Sequence, residues 1–254
     1  LILIYRLVVD ATGNRTAGCW AMLAAVASPQ FTVGSISYYA MPGELALNLL
    51  FLWLLLKPGI RTSVASGLVG VLSMVMHNPA PHALVAIPCL VWLALDRQRW
   101  PRLLAVLAGY LPVATALGLS WAAFMSIMDA KGKAAPAPVY QSVISGTASF
   151  IGSFLTLPDA YLLLTRWYAA WKTWIWACPG LLIVLFIPRA RGTCERLLLS
   201  GLAVTFAFYL FVRFYQGHGW GYRYLHGAWA VFPICAGLWL ATATDACRRF
   251  GGAM

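Results

Sequence analysis

Leu103–Met128 runs for 26 residues without a charged side chain, and no other feature limits so sharply what this chain can fold into. As a helix the run is about 39 Å long at 1.5 Å per residue, more than the roughly 30 Å hydrocarbon core of a bilayer. The rest of the chain is similar in character: 61% of its residues are hydrophobic, 10% are charged, and the mean hydropathy is +0.77. Ordinary soluble domains hold about 45–50% apolar and about 25% charged residues. These values exclude a disordered chain and an ordinary soluble domain. They also argue against a nucleic-acid partner, because the net charge of +11 reflects 18 Lys+Arg beside only 7 Asp+Glu. That is a shortage of acids more than a surplus of bases. The reading is an all-α, polytopic transmembrane helix bundle forming one domain over residues 1–254.

The other apolar stretches are Leu197–Val212, Gly227–Thr244 and Thr173–Ile187, with shorter pieces at Thr16–Ser28, Leu45–Leu56, Thr62–Met76 and Ala83–Leu95. Leu1–Val9 reads as the tail of a further helix. It lacks an initiator methionine and a signal-peptide pattern, so the chain is expected to be the C-terminal portion of a longer protein. Strands are not expected, because the runs do not alternate. If every piece crosses, the segments 10–15, 57–61, 96–102, 188–196 and 245–254 share one side. Together they hold eleven basic residues, against four (Lys131, Lys133, Arg166 and Arg223) on the other side. That asymmetry matches the positive-inside bias and predicts about eight crossings plus the N-terminal remnant. Ser63, Gly67 and Gly70 predict a close helix–helix approach. Pro88, Pro112 and Pro179 predict kinks. The six cysteines show no C-x-x-C spacing and no clustering with histidine, so they read as small buried hydrophobes.

Polar residues gather at the ends of these runs. Glu44 is the acid at the head of its helix, where a carboxylate is favoured by the helix dipole or could face an outer cavity. It is the weak candidate for a catalytic group. His77 and His82 bracket a turn with two prolines, His77-Asn78-Pro79-Ala80-Pro81-His82, which reads as a structural polar turn or as a substrate-binding lining, with a metal pair disfavoured by the i, i+5 spacing and the lack of a nearby carboxylate. Residues 129–170 form the long outer loop, with an interfacial helix expected over 139–157 and another helix starting at Pro158-Asp159. The densest segment is Arg213–Gly227, in which glycine alternates with large polar and aromatic side chains. There His218, Trp220, Tyr222, Arg223, Tyr224 and His226 are candidates for substrate binding. A guanidinium forks onto phosphate, and Trp or Tyr stacks on a sugar or lies at headgroup level.

The succession Ser28-Pro29-Gln30, Leu45-Ala46-Leu47-Asn48-Leu49-Leu50, His77-Asn78-Pro79 and His218–His226 resembles bacterial membrane proteins of the C-type (GT-C) glycosyltransferase superfamily, in a poorly characterised branch. The resemblance implies an enzyme that transfers a sugar from a polyprenyl-phosphate donor at the outer face of the bacterial inner membrane, in a multi-pass protein. It also implies an acidic catalytic residue in an outer loop preceding this region, and no Asp-Asp or Asp-Glu pair occurs here. Membrane lipid and the sugar donor are the expected partners. No cofactor is read from the chain, and a divalent metal ion in the full-length protein stays open. The competing readings are a transporter or flippase of a lipid-linked or anionic solute, a non-catalytic membrane subunit, and a haem protein using two of the four histidines.

Overall fold

The computed structural model describes residues 1–36, 40–76, 79–130, 155–176, 184–187, 190–212 and 223–251. Among these, ten α-helices follow in order: α1 (Ile2–Thr12), α2 (Arg15–Val26), α3 (Pro29–Ile36), α4 (Met41–Leu56), α5 (Ile60–Met76), α6 (Pro79–Ala94), α7 (Trp100–Ala130), α8 (Ala160–Trp176), α9 (Thr193–Tyr209) and α10 (Val231–Gly251). Short 3-10 turns at Arg97–Arg99 and Arg223–Ala228 lead into α7 and α10.

Local chemistry sets these boundaries. α1 stops at Gly13, whose φ of 71° is the left-handed conformation that glycine adopts cheaply. The Asn14 side chain then accepts a hydrogen bond from the Ala17 N–H at 3.0 Å and starts α2. Asp159 does the same for α8, accepting from the Leu162 N–H at 2.7 Å, where the Pro158-Asp159 signal lies. The main core joins α1, α2, α4, α6, α9 and α10 through Ile4, Ala21, Leu52, Leu93, Leu197 and Phe232. α5 and α7 meet through glycines. A Cβ on Gly67 would strike the Val106 carbonyl, and one on Gly109 would strike the Val64 carbonyl. Gly67 and Gly109 therefore serve a backbone-to-backbone contact, while Gly70 lies against the Tyr110 ring.

The expectation of about eight crossings is corrected by helix length. Among the described residues, two helical stretches are long and apolar enough to cross a membrane: Arg97–Ser120 and Leu225–Ala243. A third counts if α2 and α3, bent by 69° at their junction, are one broken span. α4, α5 and α6 are apolar but have only 16, 17 and 16 residues, about 24–26 Å of helix. A continuous apolar run does not distinguish a spanning helix from one buried in a bundle. The eleven-to-four charge split assumed that every piece crosses, so it falls with that assumption. So does the multi-pass inner-membrane localisation. The described residues form an all-α bundle with two to three candidate spans.

Several basic residues instead close helix ends. Arg102 donates from Nη2 to the carbonyls of Leu55 and Lys57 at the C-terminus of α4. Arg166, counted above as an outer-side charge, is 1% exposed. It donates to Tyr209 O at 2.8 Å and Val212 O at 2.6 Å, at the C-terminal end of α9. A cation is favoured at the carbonyl end of a helix. Most of the interfacial helix expected over 139–157 lies outside the described residues. Its end is extended, with Leu155 paired antiparallel to Val212 and the Thr156 N–H donating to Phe211 O at 2.8 Å.

Candidate functional site

Polar side chains collect where α3, α4, α5, α6 and the turn Arg223–Ala228 converge. α4 begins Met41-Pro42-Gly43-Glu44, with proline in the first turn and the acid close behind it. Glu44 and Asn48 are one turn apart on a single face and are each 2% exposed. Asn48 ties the junction together. Its Nδ2 donates to Gly227 O at 3.2 Å, and its Oδ1 accepts from Ser73 Oγ at 2.9 Å and lies 2.6 Å from His82 Nδ1.

These contacts determine a tautomer. The Gly227 carbonyl can only accept, so the amide must turn its NH2 that way and its oxygen towards Ser73 and His82. An amide oxygen can only accept, so His82 Nδ1 carries the hydrogen and Nε2 keeps a lone pair. The His82 ring is fully buried. It stands edge-on to Phe51 with centroids 5.0 Å apart and lies 5.7 Å from the Tyr110 ring. Burial holds its pKa down, at about 4, so the ring is neutral at physiological pH.

α3 closes the other side. Gly34 lies against His226, where an added Cβ would sit 3.1 Å from Cε1, and Phe31 stacks on Trp229 at 5.2 Å. His226 is 5% exposed and Trp229 is fully buried. Four buried atoms around this junction have no hydrogen-bond partner among the described residues: Glu44 Oε1, His82 Nε2, His226 Nε2 and Trp229 Nε1. Buried polar groups are nearly always paired, so a cluster of exceptions marks a place where a polar ligand or water would be welcome. Burial pushes the Glu44 carboxyl up to about 7, which poises it between acid and base at neutral pH.

Of the site residues expected from the sequence, the fold gathers Glu44, His82 and His226 at this one junction. Both histidines are interior rather than at an interface. Arg223 and Tyr224 lie on the same 3-10 turn as His226, and His77, His218, Trp220 and Tyr222 fall outside the described residues. Sequence reasoning passed over Ser73, Trp229 and the organising role of Asn48. Asn48 had a legible signal, as a lone amide within Leu45–Leu56. Among the described residues, no group of three or more His, Cys, Asp or Glu side chains could hold a metal ion.

A larger cavity, of about 470 Å³, opens at the other end of α4 between Asp10, Trp53, Lys57, Thr193, Glu195 and Thr242. Its charges are already answered. Lys57 Nζ lies 2.6 Å from Asp10 Oδ2, Trp53 Nε1 donates to the same oxygen at 2.8 Å, and Arg191 lies 3.7 Å from Glu195. The hydrogen bond from Lys57 holds the Asp10 carboxyl below its usual range. On chemical grounds the unsatisfied junction at the head of α4 is the candidate site.

Comparison with known proteins returns no matching family model, no matching curated protein and no matching solved structure. No comparison therefore supports the glycosyltransferase, GT-C and polyprenyl-phosphate assignment. Among the described residues there are also far fewer candidate spans than that assignment implied. What stands is an all-α bundle with a buried polar junction at the head of α4.

Proposed function

We propose that this protein works against lipid and admits the polar end of a lipid-linked, amphipathic molecule to the junction around Glu44, His82 and His226, where Glu44 exchanges a proton with it. The observation that carries this reading is an inversion of polarity. Glu44, Asn48, Ser73, His82 and His226 are buried, while Leu72, Val91, Leu104, Leu111 and Leu119 are about half or more exposed. An apolar exterior around orphaned polar atoms suits a headgroup drawn in from a membrane.

Transfer of a sugar from a lipid-linked donor is a reaction that this arrangement could serve. The Glu44 carboxylate would take the proton of an acceptor hydroxyl. The hydroxyl oxygen would bond to the sugar carbon as that carbon's bond to the phosphate oxygen breaks, and the phosphate would leave with the electron pair. The test is binding and turnover of a lipid-linked sugar by the protein in nanodiscs. Glu44→Gln is expected to retain binding and abolish turnover. Equal turnover in the variant and the wild type would remove Glu44 from the reaction. One observation favours a second reading, movement of an anionic or lipid-linked solute: Glu44 and His82 lie inside the bundle, where transport sites are found. Uptake into vesicles without chemical change to the solute would support it.

A further inference from the structure

Helix α8 buries Arg166 and Thr173 on its inner face beside Leu162 and Ala169, and exposes an aromatic and aliphatic outer face. Leu162, Arg166, Ala169 and Thr173, spaced four, three and four residues apart, face the protein and are buried. The opposite face carries Tyr161, Leu164, Trp167, Tyr168, Trp171 and Ile175, between 49% and 73% exposed. In a helix packed on a protein and facing water the order is reversed. The inner face is fastened largely by polar bonds. Arg166 holds the Tyr209 carbonyl at the end of α9 and the Val212 carbonyl beyond it, Ser28 Oγ at the corner of α2 and α3 donates to Trp176 O at 3.0 Å, and Ala169 packs against Leu225. These contacts fix which face points out.

We infer that the outer face of α8 lies in the headgroup–acyl boundary of a bilayer and anchors the protein there. This names the element that meets the lipid and rests on the reading of lipid contact above. Three observations favour that boundary over the acyl core or a protein partner. The face is mostly Tyr and Trp, which bring an apolar ring and a polar tip to one place, as the interface demands. The helix has 17 residues, about 25 Å, too short to cross in isolation. Lys172 Nζ lies 4.8 Å from the Tyr168 ring centroid, setting a cation at the aromatic layer, where anionic headgroups complement it and the net charge of +11. The apolar surface continues onto Leu157, 85% exposed, and Phe211, 42% exposed.

The test uses the full chain in vesicles of mixed zwitterionic and anionic lipid, brominated either near the headgroup or deep in the acyl chain. Tryptophan quenching is compared between the wild type and the double variant Trp167→Phe/Trp171→Phe. The expected result is that the double variant loses a disproportionate share of quenching by the shallow probe and little of that by the deep probe. Both positions are exposed, so circular dichroism should show an unchanged helix content. Leu164→Asp, on the same face, should weaken binding to the vesicles several-fold without unfolding. A loss confined to the deep probe would place α8 in the acyl core. Unchanged quenching with cross-linking of Trp167 to a second copy would make this face a protein interface. Either result overturns the inference. Glu44→Gln should leave the quenching pattern intact, so failure of the anchor and failure of the buried site are separable.

Discussion

The two ends of α4 place polar groups in opposite circumstances. At its head, Glu44 and Asn48 are each 2% exposed, and the junction around them leaves polar atoms unanswered among the described residues. At its tail, Trp53 and Lys57 converge on Asp10 beside the larger cavity, with about a third of the Lys57 and Asp10 side chains in solvent. Of these two ends, space would favour the tail. Chemistry selects the head, because a satisfied ion pair gains little from a ligand whereas an unpaired buried atom gains a full hydrogen bond. The comparison teaches that unsatisfied polarity, more than space, distinguishes a candidate site in this bundle.

The comparison breaks first at Asn48. Asn48→Leu strands Ser73, His82 and the Gly227 carbonyl together and should cost about 3 kcal/mol or more, at about 1–3 kcal/mol for each stranded group. Chemical denaturation in micelles measures it, and a loss under about 1 kcal/mol would mean that the head is not the tightly coupled node drawn here. Next is Arg223, which begins the turn that carries His226. Arg223→Lys keeps the charge but not the fork, and should weaken binding of a phosphate-bearing lipid about ten- to a hundred-fold, for about 1.5–3 kcal/mol. Isothermal titration in nanodiscs would show the loss, and wild-type affinity would leave Arg223 outside the site.

A smaller effect isolates Glu44. Burial raises its pKa from the ordinary carboxyl value of 4.5 to about 7, so the folded state binds more protons than the unfolded state between those values. Its contribution to stability is full below about pH 4.5, is lost as pH rises through about 7, and changes no further above that. The difference between wild-type and Glu44→Gln stability should therefore slope across that window and be flat outside it, as read from melting temperatures at stepped pH. A flat difference throughout would mean that the carboxyl is solvated. The smallest effect belongs to the tail. Lys57→Met should change stability by no more than about 1 kcal/mol, as exposed ion pairs do. A cost equal to that of Asn48→Leu would erase the contrast between the two ends.

Much of the helical layout was legible along the chain. The Pro158-Asp159 signal sits where α8 begins, because an N-cap is a local device. Ser63, Gly67 and Gly70 pointed to a close approach, because only small side chains permit one. Glu44, His82 and His226 were singled out as chemically unusual. Their convergence was not legible: only packing brings His82 on α6 and the turn that holds His226 and Gly227 to Asn48, one turn beyond Glu44 on α4. The number of crossings was misread for a related reason, since α4, α5 and α6 are apolar enough for a membrane and too short to span one.

By itself, then, the sequence determined that the chain is helical and apolar, and it marked where several helices start. Period, caps and side-chain size act over a few residues and can be read in order along the chain. Tertiary structure alone decided which apolar faces turn inward. It made Arg166 a cap for a helix end some forty residues away rather than a marker of sidedness, and it turned the tyrosines and tryptophans of α8 outward. The reason is that burial is a property of neighbours, and α8 acquires its inner face only when α9 and the corner of α2 and α3 offer carbonyl and hydroxyl groups to meet it.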